Sequence, residues 1–129
     1  VGLRLEVVVA YRLAGRSEVL YALKSLCRSS YSYREASEEY GVSQGVLENA
    51  FRDVCEGRYQ VCARVLPEVV DVALSSIPSL VSGATCLLCG TKVHNPVLHV
   101  ERKHGKLVRY YAKVLREAFA EAFRRLRVE

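Results

Sequence analysis

The sequence predicts a mainly α fold with a small β component: a trio of short helices, a cysteine–histidine module and a long C-terminal helix. Three observations carry that reading. Capping residues stand ahead of apolar residues at helical spacing, at Ser17, Ser32, Ser43 and Asn95. Two cysteines and three histidines crowd into residues 86–104. Beyond Gly105, a wide apolar stripe continues at helical period as far as Leu126.

The β component is expected at the N-terminus. The odd positions Leu3, Leu5, Val7, Val9, Tyr11 and Leu13 are apolar or aromatic, whereas Arg4, Glu6 and Arg12 fall on even ones. A period of two predicts a strand with one buried face, ended by Ala14-Gly15. Ser17 then caps a helix over 17–28 with Val19, Leu20, Leu23 and Leu26 on one face. Ser32-Tyr33-Arg34-Glu35 has the spacing of a capping box and opens a short helix to Tyr40. Gly41-Val42-Ser43 makes a tight turn, and Ser43 caps a helix to about Glu56 that turns Val46, Leu47, Ala50, Phe51 and Val54 inward. Gly57 is expected to stop it.

Residues 57–66 admit two readings. Tyr59, Val61, Ala63 and Val65 alternate with polar positions as in a strand, and Tyr59, Ala63 and Leu66 also suit one face of a helix. The strand is favoured because a lone N-terminal strand needs a partner. Pro67 then opens a helix to about Ser76, and Pro78 with residues 79–83 links to the metal module. Asn95-Pro96 starts another helix, whose pattern runs to Arg127 with Gly105 as a break. Leu107, Val108, Tyr111, Val114, Leu115, Ala118, Phe119, Ala122, Phe123 and Leu126 form its apolar face, to be covered by the rest of the chain or by a second copy in a homodimer.

The 129 residues suffice for one domain with a small module attached, drawn here as residues 1–80 and 81–129. The net charge of +5 is unevenly placed: residues 1–98 hold ten Lys/Arg against ten Asp/Glu, and residues 99–129 nine against four. A localised cationic surface suits phosphate, hence DNA or RNA. No apolar run is long enough to span a bilayer and no secretory signal is visible, so a cytoplasmic protein is expected. Met is absent, and Asn and Gln are confined to Asn49, Asn95, Gln44 and Gln60, a depletion seen in hyperthermophile proteins. Cys27, Cys55 and Cys62 are read as buried free thiols, although intracellular disulfides occur in such organisms.

Cys86-x2-Cys89, followed by Gly90, aims two thiolates at one point, while His99 and His104 on the following helix add two imidazoles. Such a mixed sulfur–nitrogen set suits Zn²⁺ in a closed structural site. It resembles the C2H2 zinc finger over about twenty residues, with nine residues between the second Cys and the first His where that family usually has about twelve. Residues 99 and 104 lie roughly 140° apart around a regular helix at about 100° per residue, so the helix must distort between them. His94, in the loop before Asn95-Pro96, is the spare or a substitute ligand.

The stretch from Tyr33 to Arg52 resembles helix-turn-helix DNA-binding families, with Ser37 as the small residue before the turn and Leu47 and Ala50 packing the second helix on the first. The resemblance, to regulators of an archaeal or viral type, implies a major-groove reader with Ser43, Gln44, Gly45, Asn49 and Arg52 facing base edges. Lys92, Arg102, Lys103, Lys106 and Arg109 would hold phosphates. The expected function is a zinc-containing transcription regulator on duplex DNA. The alternatives are an RNA- or ribosome-associated zinc protein and a protein–protein adaptor. No enzyme is expected, since the sequence offers no activated nucleophile, phosphate loop or open metal position.

Overall fold

The computed structural model describes residues 3–28, 31–56 and 59–128. Among them are seven helices and one two-stranded hairpin. The helices are α1 (Leu5–Leu13), α2 (Ser17–Leu26), α3 (Tyr33–Tyr40), α4 (Gln44–Cys55), α5 (Tyr59–Ser76), α6 (Pro96–Lys103) and α7 (Gly105–Val128). The strands β1 (Val81–Ser82) and β2 (Thr85–Cys86) pair antiparallel, Val81 opposite Cys86 and Ser82 opposite Thr85. The mainly α class with a small β component and a long C-terminal helix is the observed one.

The expected N-terminal strand is instead helix α1. Leu5, Val7, Val8, Val9, Ala10 and Leu13 are all buried, so the helix is covered on most of its circumference. It packs against α2, α4, α5, α6 and α7. A helix buried on most sides keeps too narrow a polar face to betray a 3.6-residue period, and its even-numbered Val8 and Ala10 become core. Its ends are fixed by the chain itself. The Arg4 amide donates to the Val54 carbonyl at 2.7 Å, and the Leu80 amide donates to the Leu13 carbonyl at 2.8 Å.

Of the strand expected over 57–66, the described part is likewise helical, because α5 begins at Tyr59 and runs to Ser76 with Pro67 inside it. Among the described residues there is therefore no pairing between 3–13 and 59–66. Of that segment, residues 57 and 58, and with them the stop expected at Gly57, lie outside the described residues. α4 ends at Cys55, and its C-cap Glu56 lies in the left-handed region at φ 49°. Pro67 cannot donate the helical hydrogen bond to Ala63. The turns on either side are held independently: Cys62, Val65, Leu66, Val69, Val70 and Ala73 are all buried, and Cys62 is disulfide-bonded to Cys55. The expectation of free thiols at Cys55 and Cys62 is thus corrected. The disulfide joins the last residue of α4 to the first turns of α5. Cys27 remains a free thiol, which burial pushes up to about 12.

Arg12, placed by sequence on the polar edge of a strand, closes the C-terminal end of α5. Its Nε donates to the Ile77 carbonyl at 2.7 Å, one terminal nitrogen to the Leu74 carbonyl at 3.0 Å and the other to the Ser17 hydroxyl at 2.8 Å. A cation there satisfies carbonyls that the helix leaves unpaired. Ser17 consequently does not cap α2, whose N-cap is Arg16 without a side-chain bond.

The other caps form as expected. Ser32 Oγ accepts from the Glu35 amide at 3.1 Å and the Glu35 carboxylate accepts from the Ser32 amide at 3.2 Å. Ser43 Oγ accepts from the Val46 amide at 3.2 Å. Leu47, Ala50, Phe51 and Val54 are buried, but Val46 is exposed, so the inward face of α4 is narrower than expected. Gly41 sits at φ 67° with no atom near where a Cβ would stand, so Gly41→Ala tests the backbone alone. It is expected to lower unfolding free energy by roughly 1 kcal/mol, read as a shift in denaturant midpoint at unchanged slope.

The stripe on α7 lies against α1 and α5, burying Val108, Ala112, Leu115 and Ala122, while Val114 is exposed. The Glu68 carboxylate ties α5 to Arg125 of α7 at 2.6 Å. One hydrophobic cluster runs from Leu5 to Ala122, across the boundary drawn at residue 80. No helix among the described residues is long and apolar enough to cross a membrane.

Candidate metal centre

The hairpin that carries the cysteines is seated on the end of α1. Gly15, at φ 75°, has the Val81 carbonyl 2.6 Å from where a Cβ would be, so only glycine allows this approach. The Leu87 amide donates back to the Leu80 carbonyl at 2.8 Å, and the Val93 amide to the Ala84 carbonyl at 2.7 Å. Between these ties the chain makes a tight knuckle. The Gly90 amide donates to the Cys86 carbonyl at 2.8 Å, the Cys86 amide donates to the Thr91 carbonyl at 2.9 Å, and Gly90 takes φ 72°.

The imidazoles come from α6. Asn95 caps it, its side-chain oxygen accepting from the Leu98 amide at 3.2 Å, with Pro96 at the first helical position. His99 lies on the helix. His104 is its C-cap, at φ −125° and ψ 34°, and α7 starts at Gly105. The required distortion is therefore concentrated at His104 itself. It breaks the helix into two rods and turns the second ring toward the first, their centroids 5.2 Å apart.

Cys86 Sγ lies 3.4 Å from His104 Nε2, and Cys89 Sγ lies 3.5 Å from His99 Nε2. All four ligand atoms fall within 4.8 Å of one another, a grouping that could hold a metal ion. His94 is outside the group: it is exposed and lines a cleft of about 270 Å³ with Lys92, Asn95, Leu98, Arg102 and Lys103. Cys86 is fully buried and Cys89 exposed, so one sulfur anchors the cluster in the core and the other faces outward. Hydrogen bonds from Thr91, whose hydroxyl stands 3.2 Å from Cys89 Sγ, with contributions from His104 and Cys86, bring the Cys89 thiol down to about 6. A thiol already inclined to the thiolate is suited to ligation. The sequence reading did not single out Thr91, because a threonine two residues after a cysteine carries no spacing signal.

No protein-family model, curated protein or solved structure matches the chain.

The residues expected to touch nucleic acid occupy two surfaces. Ser43, Gln44, Gly45, Asn49 and Arg52 are exposed along α4, with Arg52 donating to Asn49 Oδ1 at 2.7 Å. Glu48 and Asp53 are exposed on the same helix. Arg102, Lys103, Lys106 and Arg109 line a groove of about 550 Å³ at the elbow between α6 and α7, and Lys92 lies in the adjoining cleft. The two hollows share Arg102 and Lys103.

Proposed function

We propose that this protein is a zinc-dependent duplex-DNA-binding protein of regulatory type, in which α4 reads base edges and the metal-fixed elbow holds phosphates. The zinc assignment rests on ligand chemistry and spacing. Zn–S bonds of about 2.3 Å and Zn–N bonds of about 2.0–2.1 Å at tetrahedral angles set sulfur and nitrogen roughly 3.5 Å apart. The sulfur–nitrogen separations here are 3.4 and 3.5 Å. Two thiolates and two imidazoles fill a tetrahedron, so the ion would be structural, with no position left for substrate.

The observation that carries the nucleic-acid reading is where cations lack partners. Arg4, Arg16, Lys24, Arg34, Arg124 and Arg125 are each in an ion pair, and Arg12 caps α5. Lys92, Arg102, Lys103, Lys106 and Arg109 make no ion pair among the described residues, and they cluster about the two hollows at the elbow. Concentrated, unneutralised cations release counterions from a phosphate backbone. A three-residue turn, Gly41–Ser43, joins α3 to α4, and α2 packs on both, which suits the helix-turn-helix arrangement.

Fluorescence anisotropy on random and selected duplexes across a salt series tests this. The wild-type protein is expected to lose affinity steeply with salt. Arg102→Gln with Lys103→Gln should reduce the log–log slope by about two on every duplex. Arg52→Ala should cost roughly 1–3 kcal/mol on the selected duplex and little on random sequence. Absence of any salt-dependent binding would overturn the proposal. Glu48 and Asp53 on α4 favour one competing outcome, in which structured RNA binds through the elbow and Gln44, Asn49 and Arg52 are immaterial.

A further inference from the structure

The cationic surface does not end at Arg109. Along α7, Lys106, Arg109, Lys113 and Arg116 follow one another at spacings of three or four residues, so they share one face of the helix. All four are exposed, whereas Val108, Ala112 and Leu115 are buried on the adjoining side, roughly a third of a turn round the helix, against α1 and α5. Lys113 and Arg116, like the elbow cations, make no ion pair among the described residues. The Arg109 guanidinium folds back to within 3.3 Å of a Cβ built on Gly105, so it faces the elbow and joins α7 to the groove there. Tyr110 stands beside this row, four residues after Lys106 and three before Lys113, and is 60% exposed. Its ring is braced edge-on by Tyr111 at 5.1 Å between centroids. Exposed Glu117, four residues beyond Lys113, then marks the end of the basic row.

From this we infer that the outer face of α7 is an additional DNA contact, in which Lys113, Arg116 and the Tyr110 hydroxyl engage one strand's phosphates beyond those held at the elbow. The inference rests on the duplex-binding reading and extends it to residues outside the elbow. From Lys106 to Arg116 the helix rises roughly 15 Å at about 1.5 Å per residue. That length is enough to reach more than one phosphate of a strand. Charge complementarity selects the occupant: a row of unpaired cations flanked by a hydroxyl donor fits a repeating anion, whereas a basic partner would be repelled and the exposed apolar surface beside the row, Tyr110 and Val114, is small. The row continues directly from the groove that contains Arg102 and Lys103, where four cations outnumber the single carboxylate of Glu101, so one strand can follow both.

The zinc-loaded full chain is titrated with a random duplex, and separately with a single strand of the same length, across a salt series. Lys113→Gln with Arg116→Gln is expected to lower the duplex slope by about two while leaving the melting temperature unchanged. Tyr110→Phe should weaken duplex binding several-fold, and Tyr110→Ala no more than that, since the hydroxyl and not the ring makes the contact. A wild-type slope in the double variant overturns the inference and leaves the elbow-and-α4 reading standing. Loss of slope seen with the single strand but no duplex binding by any form overturns the duplex reading and the assigned occupant together. A tyrosine effect that appears only in Tyr110→Ala overturns the hydroxyl contact in favour of base stacking.

Discussion

The purified protein is expected to carry one zinc ion per chain, and stripping it with a strong chelator should lower the melting temperature by roughly 15 °C or more. Structural zinc in isolated finger peptides binds with about 10–16 kcal/mol at neutral pH, and in such a site that is folding free energy. Here part of the module is already held by protein contacts, namely the Leu80 and Leu13 backbone bond, buried Val93 and Val100, and α7 against α1 and α5. The loss seen should therefore be a fraction of the full figure. Even about 5 kcal/mol, however, moves the midpoint of a chain of this size by roughly 15 °C. The damage should be local first. Without the ion nothing offsets the break at His104, and the cations of α6 and α7 lose their common orientation. Cys86→Ser and His99→Ala should reproduce the chelator, whereas His94→Ala should keep one zinc and melt within a few degrees of wild type. Elemental analysis and thermal unfolding check both. If chelation leaves the midpoint untouched, the four side chains are held by their hydrogen bonds and the metal assignment falls.

How far the sequence disclosed this arrangement depends on which physical signal each element emits. Caps are local. Ser32 with Glu35, Ser43 and Asn95 bond to amides three residues away, and those starts are where they were expected. The ligand set is nearly as local, because Cys86-x2-Cys89 and the helix cap before His99 constrain one another within nineteen residues. Even the need for a distorted helix between His99 and His104 follows from their spacing. What failed was the inner scaffold. In α1 and the described first half of α5, buried valine and leucine leave only a narrow polar face, Glu6 in one and Arg64 in the other, so the helical period is weak and β-branched residues imitate a strand. Both segments bury most of their circumference because neighbouring helices pack around them, a tertiary fact that no window of ten residues contains. Pro67 misled in the same manner: a proline more often opens a helix than sits within one, and only the anchoring of Cys62, Val65 and Leu66 keeps α5 continuous through it. The expectation of free thiols at Cys55 and Cys62 has a separate source, the rarity of intracellular disulfides, and it too gives way to the observed bond.

That pair supports the second large effect. The Cys55–Cys62 bond closes a loop seven residues apart, with Cα atoms 5.5 Å from one another. The chain-entropy relation for so short a loop gives a contribution of about 2 to 3 kcal/mol. Both residues are buried, so a reductant added to the folded protein has little access. The comparison must be made on protein unfolded in reductant, refolded with zinc and kept reduced. It should melt roughly 6 to 12 °C lower than the oxidised form. Reduction retains both sulfurs in place and opens no cavity, so the shift reports the cross-link, whereas Cys55→Ala with Cys62→Ala adds a cost of lost packing and should fall further. The weakening should concentrate ahead of Pro67, where α5 already lacks one helical hydrogen bond, and amide exchange over residues 62–66 is where it would be read. Base contacts should survive. Gln44 and Asn49 lie in the first half of α4, anchored by the Ser43 cap, while the disulfide holds its far end. Below the lowered midpoint, a selected duplex is therefore expected to bind the reduced protein as tightly as the oxidised one. If affinity falls while α5 retains its protection, α4 is being positioned through Cys55, and the division of labour between the two ends of that helix is wrong.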